Sequence, residues 1–65
     1  MKIQLSYEWR GHLLDMPESG MNYHRVDVTY IDGSIDEDCL VTNTEDLEVP
    51  LDALGKTIKD ISLHV

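Results

Sequence analysis

The sequence predicts an all-β domain: a small five-stranded antiparallel barrel with one short helical or 3-10 turn before the last strand. Three observations carry that prediction. Polar and apolar residues alternate over Lys2–Arg10, Tyr23–Ile31 and Ile58–Val65, and period two marks a strand with one buried face. Turn-forming residues punctuate the chain at short spacing, as in barrels and sandwiches. The chain has 65 residues, which makes one domain, 1–65, small enough that its strands must bend strongly to enclose a core.

Each element follows in order. Over Lys2–Arg10, the residues Ile3, Leu5, Tyr7 and Trp9 share one face, which reads as the first strand. Gly11–Met21 reads as a long loop: Pro17-Glu18-Ser19-Gly20 favours a turn, while Leu13, Leu14 and Met16 fold back on the core. A single helical turn over His12–Met16, stopped by Pro17, is the alternative. Tyr23–Ile31 is the second strand, rich in β-formers. Asp32-Gly33 suits a two-residue type I′ hairpin, and the return strand runs Ser34–Thr42. That register pairs Tyr30 with Ile35, Val28 with Glu37 and Val26 with Cys39. It also sets Asp27 opposite Asp38, a like-charge pair that a bulge near Asp36–Asp38 would relieve. Leu47, Val49 and Leu51 alternate as a short strand, at an edge or ended by Pro50. Pro50–Gly55 reads as a helical or 3-10 turn. Ile58–Val65 is the last strand, with Ile61, Leu63 and Val65 inward.

The layout resembles the Src-homology-3-like barrels, which share a long loop after the first strand and a helical turn before the last. The resemblance spans nearly the whole chain at the level of pattern. No run of Tyr, Trp and Pro stands where the proline-binding members carry one. A narrower likeness is to the Sm-like barrels: Val26-Asp27-Val28-Thr29-Tyr30-Ile31-Asp32-Gly33 looks like their opening strand-and-glycine signature. Asp38 stands at the position of that family's second Gly, and Glu48 where its base-binding Asn would be. The resemblance therefore implies the barrel but not RNA binding.

Charge narrows the function. Thirteen acids against five bases give a net charge of −8. Nucleic-acid backbones and anionic membranes repel such a chain, so neither is an expected partner. From Asp27 to Asp52 there is no Lys or Arg, which predicts an acidic face. The single cysteine, Cys39, allows no internal disulfide, and a small unstapled domain suits a reducing cytoplasm. The alternation at Met1–Trp9 is unlike a signal peptide.

Chemistry is sparse. Asp32, Asp36, Glu37 and Asp38 cluster, but Gly33 is misplaced for a calcium loop. His12, His24, Cys39 and His64 lack the close pairing of zinc ligands. Neither a nucleophile elbow nor a glycine-rich phosphate loop is present. Tyr7, Trp9, Tyr23 and Tyr30 could form a cation cage, although Tyr7 and Trp9 continue a core-facing stripe. The expectation is a non-catalytic acidic binding module for a protein partner, with no cofactor and no metal. Trp9, Leu13, Met16 and Tyr23 are the candidate apolar anchors. Asp32, Asp36, Glu37, Asp38, Glu45, Asp46 and Glu48 are the candidate steering acids. Two alternatives are an acidic nucleic-acid mimic that occupies a basic groove and a self-assembling subunit. For the latter, the strand ends Leu47–Val49 and Ile58–Val65 would pair a homo-oligomer.

Overall fold

Along the chain run β1 (Lys2–Gln4), α1 (Tyr7–Leu14), β2 (Tyr23–Tyr30), β3 (Ile35–Thr42), β4 (Asp46–Glu48), a 3-10 turn (Leu51–Ala53) and β5 (Ile58–Leu63). The computed structural model describes residues 1–53 and 55–64. The strands form one antiparallel sheet in the order β1-β4-β3-β2-β5. The fold is therefore β-rich, with the 3-10 turn before the last strand as expected. Among the described residues no pairing joins β1 to β5. The expected inward position of Val65 and the place of Leu54 in the turn lie outside the described residues.

The core follows from the alternation. In β2, His24, Val26, Val28 and Tyr30 are all buried, while Arg25 is exposed and Tyr23, Asp27 and Thr29 are half-buried. Cys39 and Val41 from β3, Leu47 from β4 and Ile61 from β5 close on the same interior, joined by Leu5, Leu13, Val49 and Ala53. Burying such side chains stabilises the fold by about 1.5–3 kcal/mol each for the larger ones. His24 is the one buried polar side chain among the described residues; its Nε2 lies 3.3 Å from the Met16 carbonyl.

The first expected strand is corrected. It stops at Gln4, and α1 takes Tyr7–Leu14. Two periodicities compete here. Ile3, Leu5, Tyr7 and Trp9 fit period two, whereas Trp9, Leu13 and Met16 fit the i, i+4, i+7 stripe of a helix. The helix wins because it buries Leu13 completely and packs Trp9 and Met16 against the core, leaving Tyr7 85% exposed. Glu8 in the first turn and His12 in the last both suit the helix dipole. A helix of 8 residues is well short of the ~12–15 that are marginal alone in water, so tertiary packing holds it.

One of its contacts is with the outer edge of β5. His64 N–H donates to Arg25 C=O, so along this ladder the polar groups of Asp60, Ser62 and His64 turn toward β2. Those of Ile61 turn away from the sheet. The Ile61 carbonyl lies 2.7 Å from His12 Nε2, so α1 meets this edge at Ile61.

The β2–β3 hairpin needs two further corrections. Its loop has three residues, Ile31-Asp32-Gly33, not two: Gly33 N–H donates to Tyr30 C=O, Tyr30 N–H donates to Ser34 C=O, and Gly33 has φ +92°. This is a type I turn followed by a glycine bulge. The tip pairing accordingly moves to Thr29↔Ile35 and Val28↔Asp36. A bulge between Val26 and Val28 then restores the expected Val26↔Cys39 pairing. The like-charge clash is resolved there. Asp38 takes φ +57°, turns its own N–H onto Asp27 Oδ1 at 2.9 Å, and gives its carboxylate to Arg25.

The Leu47 segment is not an edge. β4 lies between β1 and β3, and it ends at Glu48, two residues before Pro50. Asn43 and Thr44, at φ +54° and +59°, form the tight turn into it, with Glu45 N–H donating to Thr42 C=O.

Candidate functional site

The site is a fork in the sheet. β3 pairs with β4 only through Val41↔Leu47 and Thr42↔Asp46. Beyond Leu47 the chain stays with β1, through Lys2↔Glu48 and through Val49 N–H donating to Met1 C=O at 2.9 Å. Ile35–Leu40 of β3 therefore has β2 on one side and, among the described residues, no strand on the other. The ladder alternation fixes which groups face that open side. Asn43 N–H donates to Asn22 C=O and Tyr30 N–H to Ser34 C=O. Counting from these pairs, Leu40 and Ile35 present their N–H and C=O groups away from β2.

Between the diverging strands lies a cleft of about 370 Å³. Asp36, Glu37, Asp38 and Glu48 line it as acids, and Cys39, Leu40, Val49 and Pro50 supply its apolar part. The acids differ in availability. Asp38 is held by a two-pronged bond to Arg25, at 2.6 and 2.5 Å, which keeps its carboxyl below the usual range. Asp36 accepts the Tyr30 hydroxyl at 2.8 Å. Burial and then this hydrogen bond push the Tyr30 phenol well above its ordinary value. Glu48 faces the amino group of Met1. Glu37 is exposed and has no ion-pair partner among the described residues.

Burial and nearby acids disfavour the thiolate of Cys39. It is buried, its thiol is pushed up to about 11 mainly by that burial and further by Asp36, and its Sγ donates toward the Asp36 carbonyl. A reactive cysteine needs the opposite environment.

The other expected site residues scatter. Leu13 is wholly inside, so it offers a partner no surface. Trp9 and Met16 are half-buried against the core, and Trp9 meets the His12 ring edge-on at 5.6 Å. Tyr23 lays its ring over Gly20. Asp32 serves the hairpin tip, accepting the Ser34 N–H and hydroxyl. Glu45 pairs with Arg10 at 2.8 Å, and Asp46 stands in register with Gln4 and Thr42. Only Asp36, Glu37, Asp38 and Glu48 of the expected set meet in the cleft. Its apolar members, Leu40, Val49 and Pro50, were missed; Pro50 ending a strand was the one available signal.

A second polar cluster lies on the sheet's outer face. His64 Nδ1 stands 2.8 Å from Asp27 Oδ1, and Ser62 is opposite Asp27 in register. Asp27 also accepts the Asp38 N–H, and these bonds lower its carboxyl. Among the described residues Ser62 makes no hydrogen bond to His64, so the three do not form a nucleophile and base.

Comparison with protein-family models, with curated proteins and with solved structures finds no match to this chain. The class that fold and site define is a small β-rich domain with a forked sheet and an acidic cleft.

Proposed function

We propose that the protein is a non-catalytic binding module that engages a protein partner through the acidic cleft between β3 and β4. The observation that carries this reading is the coincidence, in one cleft, of strand-edge groups unpaired among the described residues, exposed apolar surface at Leu40 and Pro50, and acids from both strands. Apolar contacts supply affinity there, and the carboxylates steer and select a basic partner. The finer family reading, a Src-homology-3-like barrel, rests on element order: a long connection after the first strand and a 3-10 turn before the last. No helix among the described residues is long and apolar enough to cross a membrane.

A peptide-display selection tests the proposal. Selected peptides should be rich in Lys and Arg, should weaken as salt rises, and should lose binding to Glu37→Lys. Peptides that are neutral, or that bind Glu37→Lys equally well, would overturn it.

A further inference from the structure

We infer that the partner segment docks as an added strand on β3, an extended basic stretch whose main chain pairs with the open edge at Leu40 and Ile35. The inference rests on the proposed cleft and specifies what occupies it. The open edge is its first support. Leu40 would face Glu48 if the β3–β4 ladder continued in register, but the cleft of about 370 Å³ separates the strands instead. Pro50 on the far wall has no N–H to offer. An incoming strand therefore finds its main-chain partners on β3, and strand addition of this kind draws affinity from backbone hydrogen bonds and specificity from alternate side chains.

Charge selects the occupant. The same edge on a second copy carries the same acids, so edge-to-edge pairing of β3 with itself sets Glu37 and Glu48 against like charges. A basic strand meets them as opposite charges. The acids thus exclude one class of strand and admit another, which is how specificity is built from repulsion as well as attraction. Glu37 is the acid without an internal partner and is the first contact for a Lys or Arg. Alternate residues of the incoming strand then lie on Leu40 and Pro50, both exposed at the cleft, which favours small apolar side chains between the cations.

The probe is a synthetic octapeptide of alternating Lys and Val, compared with the same peptide N-methylated at alternate residues in each phase. N-methylation removes main-chain donors and leaves the charge unchanged. Binding is read by calorimetry, and the Leu40 amide by hydrogen exchange. In one methylation phase the affinity should fall about tenfold or more, as expected for losing two or so hydrogen bonds, and the unmethylated peptide should slow exchange at Leu40. If both methylated forms bind as well as the parent, and binding still fails with Glu37→Lys, strand addition is refuted while the acidic cleft stands. If no form binds, both are refuted.

Discussion

Thr44 occupies a backbone position that its side chain disfavours. It is β-branched at φ +59°, where an L-residue loses roughly 1–2 kcal/mol. Glycine would remove that strain and return about 0.5–1 kcal/mol as lost chain entropy. The difference favours the change, so Thr44→Gly should stabilise by about 0.5–1 kcal/mol, seen as a higher urea midpoint at unchanged slope; a lower midpoint would contradict it. Titration gives a second residue-scale expectation. Asp27 has its carboxyl lowered by the Asp38 N–H and by His64. In acid the unfolded chain, titrating near ~3.9, takes up that proton first. The contribution is therefore complete above the unfolded value and disappears as pH falls through the folded one. Asp27→Asn should flatten the acid side of the stability curve as pH falls below about 4. Cys39 has the opposite sign. Its thiol rises to about 11, so its contribution is complete below ~8.5 and fades as pH climbs toward the folded value. Cys39→Val should remove that alkaline loss in denaturation measured from pH 8 to about 10.5.

At the scale of elements, local pattern and long-range pairing divided the problem. β2 and β5 were legible because alternation continues through them, and β3 because a glycine turn led into it. The hairpin register came out correct at Val26↔Cys39 although its tip did not: the extra loop residue and the bulge offset one another. α1 was hidden because Tyr7 and Trp9 prolong a strand pattern that the exposed Tyr7 breaks only in three dimensions. The acids were visible in sequence, yet the cleft was not, because it exists only where β4 leaves β3 for β1. That pairing depends on distant residues, Ile3 and Leu47, which no local window contains. The same elements yield a prediction. His12 of α1 occupies the outward Ile61 carbonyl of β5, and exposed edges pair with other chains. His12→Leu should therefore raise the mass in sedimentation equilibrium at high micromolar protein relative to the parent; equal masses would count against this role.

Across the whole molecule, charge opposes compaction. Net −8 means mutual repulsion in the folded state, whereas the pairs Arg10–Glu45 and Arg25–Asp38 are about half exposed and such solvent-accessible pairs contribute only ~0–1 kcal/mol. Salt screens both, and repulsion is the larger loss. Sodium chloride at about 0.5 M, where the screening length is only a few ångströms, should thus raise the urea midpoint; a fall would show that the ion pairs dominate. The order β1-β4-β3-β2-β5 also has a kinetic meaning. β2, β3 and β4 are joined by tight turns and can assemble from local encounters, which close quickly. β1 must find β4 across most of the chain, and β5 must find β2. The central meander should then form the folding nucleus, with the two outer strands docking late. Conservative truncations such as Val41→Ala should slow refolding, while Ile3→Val should chiefly speed unfolding. The fork belongs to both stages: its β3 wall forms early, and its far wall arrives only when β1 captures β4.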